Sequence, residues 1–135
     1  MLRFYFHPTP NSMKIALFLK EADLDYELVP VDTLKGEQHQ PAFRAINPNG
    51  KLPAIEDGGK RVFDSNAILL YLADKHEKFQ GKPEDKGELL SWLMFIATGL
   101  GPYSGQSVHF RTAAKGKSDY AENRYTREAQ RHYKV

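Results

Sequence analysis

Asn47-Pro-Asn-Gly-Lys-Leu-Pro-Ala-Ile-Glu-Asp57, with Val62-Phe-Asp-Ser-Asn-Ala-Ile-Leu-Leu-Tyr-Leu72 just beyond it, decides how this chain is read. The order is loop, strand, turn, strand, helix. Pro48 and Gly50 make the loop irregular. Pro53 stands at the mouth of a short apolar strand, where a proline stays only if the sheet does not need its missing N–H. An X-Pro bond is the one place where a cis peptide is cheap. If Leu52–Pro53 is cis, the Leu52 N–H and C=O turn away from the sheet and can pair with an extended, peptide-like ligand. Thirteen positions after Leu52, Ser65 opens an apolar helix just behind Asp64. A helix start has free N–H groups and a positive dipole end, so it holds carboxylates.

Upstream, Leu2 to Phe6 alternates at a two-residue period and reads as a buried strand, stopped by Pro8 and Pro10. Asn11 or Ser12 can cap the helix that follows, which presents Ile15, Phe18, Leu19 and Ala22 on one face. Tyr26 to Val31 makes a second strand, and the strand–helix–strand unit implies a parallel pair with a right-handed crossover. Residues 33–40 are polar and read as a mobile loop, and Pro41 to Ile46 is at most a short helix. The strands around Ala54–Glu56 and Arg61–Phe63 are joined by Asp57-Gly-Gly-Lys60, whose glycines suit a tight hairpin. Ser65 to His76 is a helix with Ile68, Leu69, Leu72 and Ala73 on one face. The sum is an α/β order, β-α-β-α-β-β-α.

Downstream the composition changes. Phe79 to Asp85 contains Gly81 and Pro83 and looks like a linker. Leu89, Leu90, Leu93, Ile96 and Ala97 have helical periodicity, but Gly99, Gly101, Pro102 and Gly105 weaken a helix interior, and propensity alone breaks the segment there. Residues 119–134 form a last amphipathic helix carrying Tyr120, Tyr125, Ala129 and Tyr133.

A chain of 135 residues is one ordinary domain by size. No run approaches the ~18 apolar residues of a membrane span, and the N-terminus lacks a signal-like core, so a cytoplasmic location is the expectation. The absence of cysteine removes disulfides, thiolate metal sites and protein-thiol nucleophiles together. Any sulfur chemistry must come from a ligand. The net charge of +2 hides an asymmetry: residues 1–110 hold 12 Lys/Arg against 14 Asp/Glu, and residues 111–135 hold 7 against 3. The basic tail is interleaved with Glu122, Glu128 and apolar residues, so it reads as a solvated helix face before a nucleic-acid patch. His7, His39, His76, His109 and His132 show no metal spacing and take surface or loop roles, so no metal is expected.

NPNGKLPAI, DSNAILLYLA and the opening Tyr5-Phe-His-Pro-Thr-Pro-Asn-Ser-Met-Lys14 carry a resemblance. The chain is similar to the glutathione-binding, thioredoxin-like domain of cytosolic glutathione transferases. The Thr-Pro-Asn of the opening and Gly99-Leu-Gly-Pro-Tyr-Ser-Gly-Gln106 most resemble the bacterial nu-class branch, whose members resemble glutathione-dependent disulfide-bond reductases. The resemblance implies a thioredoxin-like domain over residues 1–78, a linker over 79–86, and over 87–135 the first two helices of an all-α C-terminal domain. It also implies one long helix to about Ala114, against propensity, with small residues that pack close to a partner subunit in a homodimer. A complete member continues for several more helices, which supply most of the second-substrate pocket, so the resemblance implies a C-terminally truncated pattern.

Glutathione transferases hold the sulfur of γ-Glu-Cys-Gly as a thiolate, the form that attacks electrophiles and disulfides. The resemblance makes Asn11 the leading thiolate stabiliser and Thr9 the second; both also suit plain helix capping. Tyr5 fits core packing better. Ser12 stands where nu-class relatives commonly show Gly, and it too donates a hydrogen bond and caps well. Asp64 and Ser65, with the helix-start N–H groups, match the γ-glutamyl end, which carries a carboxylate and an ammonium. Asp stands here for the longer Glu common in the branch. Leu52, before Pro53, matches the residue that holds the cysteinyl backbone. Lys51 and Gln38 match the glycyl carboxylate, beside plainer readings as a surface lysine and a loop glutamine. Arg124 matches a nu-class arginine that contacts glutathione species, and pairing with Glu128 at i+4 accounts for it equally well.

Three functions stand at this level. The first is a glutathione-dependent transferase or disulfide reductase acting on a small electrophile or disulfide. The second is a glutathione-binding or protein-interaction module without turnover. The third is a shortened gene product with no independent activity. No nucleic-acid or membrane partner is expected.

Overall fold

A computed structural model describes residues 1–135, which divide into two compact units, Met1–Gln80 and Gly81–Val135. In the first unit, β1 (Leu2–Phe6) buries Leu2 and Phe4 on one side and Tyr5 on the other, as a two-residue period requires. The helix α1 (Pro10–Glu21) is capped by Thr9, not by Asn11 or Ser12. Pro10 is the reason: its fixed φ and missing N–H suit the first helical position, so the cap falls one residue before it.

The strand β2 (Glu27–Pro30) is shorter than Tyr26–Val31 and runs parallel to β1, pairing Arg3 with Glu27 and Tyr5 with Val29. Val31 N–H still reaches the Phe6 carbonyl at 2.9 Å. Residues 33–40 form two 3-10 turns, Thr33–Lys35 and Glu37–His39, where a mobile loop was expected. Asp32 Oδ1 accepts the Leu34 and Lys35 N–H groups at 2.9 and 3.3 Å, and Glu37 Oε2 accepts the Asp32 N–H at 2.7 Å.

The short α2 (Pro41–Ile46) leads to the hairpin of β3 (Ala54–Asp57) and β4 (Lys60–Phe63), turned by Gly58 and Gly59 at φ 56° and 84°. Then α3 (Ser65–His76) closes the unit's element order. The sheet runs β2-β1-β3-β4, with β3 antiparallel to both neighbours. This is the thioredoxin-like β-α-β-α-β-β-α arrangement. Phe4, Ile15, Leu19, Ile55, Ile68 and Leu72 centre the core between one sheet face and α1 with α3. Tyr5, Val31, Phe43, Ile46 and Ala54 pack on the other face. The hairpin is pinned to α3 where Tyr71 Oη donates to Asp57 Oδ2 at 2.9 Å and Lys75 Nζ pairs with the same oxygen. Burial pushes the Asp57 carboxyl up, but the hydrogen bonds from Lys75 and Tyr71 outweigh it and hold the carboxyl below its ordinary range.

The second unit is helical. α4 (Lys86–Phe95) passes through a π-helical turn, Ile96–Leu100, directly into α5 (Gly101–Arg111). The glycines do not break it, and it ends at Arg111, short of Ala114. The last helix, α6 (Asp119–Tyr133), is capped by Ser118. Its inner face is Tyr125, Ala129 and His132, whereas Tyr120 and Tyr133 are exposed. His132 is therefore buried, against the surface or loop role expected of the histidines. Its ring lies 5.1 Å from those of both Phe95 and Tyr103, and Nδ1 donates to the Glu128 carbonyl at 2.7 Å. A Cβ on Gly99 would stand 2.3 Å from His132 Nε2. Within its own unit, Gly99 is thus kept small by the His132 side chain.

Candidate functional site

The start of α1 is built by Thr9-Pro10-Asn11-Ser12. Pro10 has no N–H, the Ser12 N–H goes to Thr9 Oγ1 at 3.5 Å, and the Met13 N–H goes to the Thr9 carbonyl at 2.9 Å. The Asn11 N–H is left as the helix-start donor. Asn11 is exposed at the second helical position, whereas Ser12 is fully buried.

Facing the same part of the unit is the start of α3. Asp64 is its cap, with Oδ1 accepting the Asn66 N–H at 2.9 Å and the Ala67 N–H at 3.3 Å. That use leaves the Ser65 N–H and hydroxyl as the free donors of the first turn. Asp64 adopts φ 71°, a region costly for a residue with a side chain, and such strain concentrates at functional sites. Lys14, one turn into α1, donates to Asn66 Oδ1 at 3.4 Å and so ties the two helix starts together. Burial lowers the Lys14 ammonium from its ordinary value, and the Asp64 charge opposes that shift. The sequence reading missed Lys14 and Asn66, which meet across 52 positions.

Residues 47–53 form the loop that leads from α2 into β3. The Leu52–Pro53 bond is cis. Leu52 precedes the ladder, whose register begins at Ala54. Its position is set by Asn47, which was read only as part of an irregular loop. Asn47 is buried, its Nδ2 donates to the Lys51 carbonyl at 2.6 Å, and its Oδ1 accepts the Asn49 N–H at 2.9 Å. The signal in the sequence was an Asx turn at Asn-Pro-Asn-Gly. Gln38 joins this loop: a Cβ on Gly50, itself at φ 64°, would lie 3.2 Å from the Gln38 carbonyl. Gln38 Nε2 contacts His39 Nε2 at 3.2 Å, while Gln38 Oε1 is buried without a partner. Lys51 is exposed beside it.

Seven of the sequence candidates (Thr9, Asn11, Leu52, Pro53, Asp64, Ser65 and Lys51) and Gln38 therefore lie within the first unit. Arg124 lies on the exposed side of α6 in the second. Its expected partner Glu128 is taken by Arg131 at 3.1 Å, so the i+4 pair is not made. The chemistry on hand is a set of neutral N–H, amide and hydroxyl donors beside the Asp64 carboxylate and two lysines, Lys14 and Lys51. No group of three or more His, Asp or Glu stands where it could hold a metal ion, and no helix is long and apolar enough to cross a membrane.

Comparison with known proteins bears on what such a set does. Residues 1–74 match the family described as glutathione S-transferase, N-terminal domain. The chain is 48% identical over 143 residues to the disulfide-bond oxidoreductase YfcG of Escherichia coli, all of this chain and 66% of that protein. It is 36% identical to the transcriptional regulator URE2 of Saccharomyces cerevisiae over 93% of this chain and 38% of the regulator. In structure it is similar, with a TM-score of 0.91 and 37% identity, to a glutathione transferase homolog from Lodderomyces elongisporus with two glutathione molecules per subunit. That match covers 99% of this chain and 67% of the homolog. The chain thus spans about two thirds or less of these relatives' lengths. A thioredoxin-like unit with a cis-proline loop and two tied helix starts, matched to this family over more than half its residues, has one placement: the chain belongs to the glutathione S-transferase N-terminal domain family.

Proposed function

We infer that this chain binds glutathione across the residues Gln38 and Lys51, Leu52 and Pro53, and Asp64 and Ser65. At the start of α1 it then activates the thiol for attack on an electrophile or a disulfide. The observation that carries this reading is the start of α3. Asp64 spends one oxygen on its own helix, which leaves the buried Ser65 N–H and hydroxyl for a carboxylate and the second Asp64 oxygen for an ammonium. A γ-glutamyl group carries both charges. Asn11 is the stabiliser of the thiolate, with its N–H and side-chain amide, while Thr9, the second candidate at this turn, gives its one hydroxyl proton to Ser12 Oγ; no protein atom is covalently modified. The relatives support the ligand, since the Lodderomyces homolog holds glutathione and the Escherichia coli relative is named a disulfide-bond oxidoreductase.

Calorimetry with reduced and oxidised glutathione, joined to a thermal melt, tests binding. Saturable binding and a raised melting temperature are expected. Turnover with a model electrophile and with a small disulfide then tests the chemistry. A chain that melts cooperatively yet ignores both ligands refutes the reading.

A second reading is a glutathione-binding or interaction module without turnover. Its support is the similarity to a protein named a transcriptional regulator. Binding with no turnover on either substrate selects it. Assembly as a homodimer, and a glutathione contact from Arg124, belong to the same proposal; light scattering and an Arg124→Ala titration measure them.

A further inference from the structure

Ser12 has no exposure at all, although it lies in the first turn of α1. Its hydroxyl is not idle: Thr9 Oγ1 donates to Ser12 Oγ at 3.2 Å, and the same Thr9 oxygen accepts the Ser12 N–H at 3.5 Å. A threonine hydroxyl has a single proton. Here that proton points inward, so what Thr9 has left to offer is a lone pair. A lone pair can accept from a neutral S–H, but it repels a thiolate, which is favoured only by donors aimed at sulfur.

We propose that Ser12 is a positioning residue that holds the Thr9 proton away from the sulfur of bound glutathione, so that Asn11 alone supplies the hydrogen bonds favouring the thiolate. This rests on the reading above, in which the sulfur lies at the start of α1. Ser12 then keeps the bound thiol less ionised than the same site reaches once Thr9 is released. Thr9 and Ser12 act as a coupled pair: removing the Ser12 hydroxyl frees the Thr9 O–H to turn toward sulfur.

The full chain saturated with glutathione gives a direct readout. It contains no cysteine, so the ultraviolet thiolate absorbance of the complex belongs to the ligand alone. Four proteins are titrated with pH: the native chain, Thr9→Val, Ser12→Ala and the double variant, each also measured by calorimetry for glutathione affinity. Ser12→Ala is expected to lower the thiol pKa by about one unit, a tenfold gain in ionisation. Thr9→Val is expected to leave it unchanged or lower it in the native background, and to raise it by about one unit when Ser12 is already Ala. A merely structural Ser12 shifts melting temperature or affinity and leaves the ionisation alone, which overturns the proposal. So does a rise in pKa on Thr9→Val in the native background, a result that needs no Ser12 variant to fold. Failure of the native chain to bind glutathione removes the site reading and this proposal with it. Intact binding with the wrong ionisation pattern removes this proposal only.

Discussion

Gly99→Ala tests the packing of the helical unit at its tightest point. The added Cβ stands 2.3 Å from His132 Nε2, 2.6 Å from Cδ2 and 3.4 Å from Cε1. Ordinary carbon contact begins near ~3.5 Å, so the ring must move by about 1 Å. It has no free direction. Phe95 and Tyr103 lie 5.1 Å away by ring centroid, and Nδ1 is bonded to the Glu128 carbonyl. Overpacking of this kind costs about 1–3 kcal/mol. Losing the Nδ1 hydrogen bond adds about 1 kcal/mol, and the better helix propensity of Ala returns about 1 kcal/mol. The expected net loss is about 2 kcal/mol. Trp92, the chain's single tryptophan, lies in α4 and reports urea unfolding of this unit by fluorescence. The decisive comparison is a double-mutant cycle with His132→Ala, in which the added methyl enters vacated space and becomes neutral or mildly stabilising. Equal cost in both backgrounds, or a gain in the native one, would refute the reasoning.

Ser65→Ala removes a donor to the γ-glutamyl carboxylate and is expected to weaken glutathione binding tenfold or more, about 1.5 kcal/mol; unchanged affinity by calorimetry sinks that assignment. Leu72→Ala, at a fully buried core position, should cost about 2–5 kcal/mol in denaturant unfolding, and a cost near zero would mean α3 is not packed as described. The pH dependence turns on Asp57, whose carboxyl is lowered, and on Lys75 and Tyr71, which are raised. A lowered acid contributes fully above its unfolded pKa of about 3.9 and is lost as pH falls through the folded value. Raised Lys and Tyr groups contribute below their unfolded values of about 10 and are lost as pH rises. Stability measured from pH 7 toward acid should therefore fall more steeply in the native chain than in Asp57→Asn. Parallel curves would contradict the pairing.

Local chemistry made much of the first unit legible. Two glycines between Asp57 and Lys60 announced their own positive φ, and Leu-Pro ahead of Ala54 announced the loop bond that the structure shows as cis. Asp64-Ser65 marked a helix start because a capping residue ahead of an apolar periodic run has few other uses. What escaped was set by partners distant in sequence. Asn11 and Ser12 are good caps, but Pro10 moved the cap to Thr9. Lys14 reads as a surface lysine until Asn66 is folded against it. Gly99 reads as a helix breaker until His132, 33 positions on, fills the space a side chain would need. Gln38 showed its place beside Gly50 only through packing, because a 3-10 turn and a loop resemble each other in composition.

The sheet order β2-β1-β3-β4 leaves two outer strands, and their residues bear on how copies of this chain meet. An outer strand offers unpaired N–H and C=O groups to any other strand that approaches. On β2 the run is four residues long and ends in Pro30, which has no N–H to give; on β4 it is also four residues and begins Lys60-Arg61. A second copy docking edge to edge finds a missing donor on one side and like charges on the other. Ribbon-like stacking through the sheet is thereby discouraged at both ends. Pro30→Val together with Lys60→Thr would restore donors and remove repulsion, making the unit prone to strand-mediated aggregation while its core stayed the same.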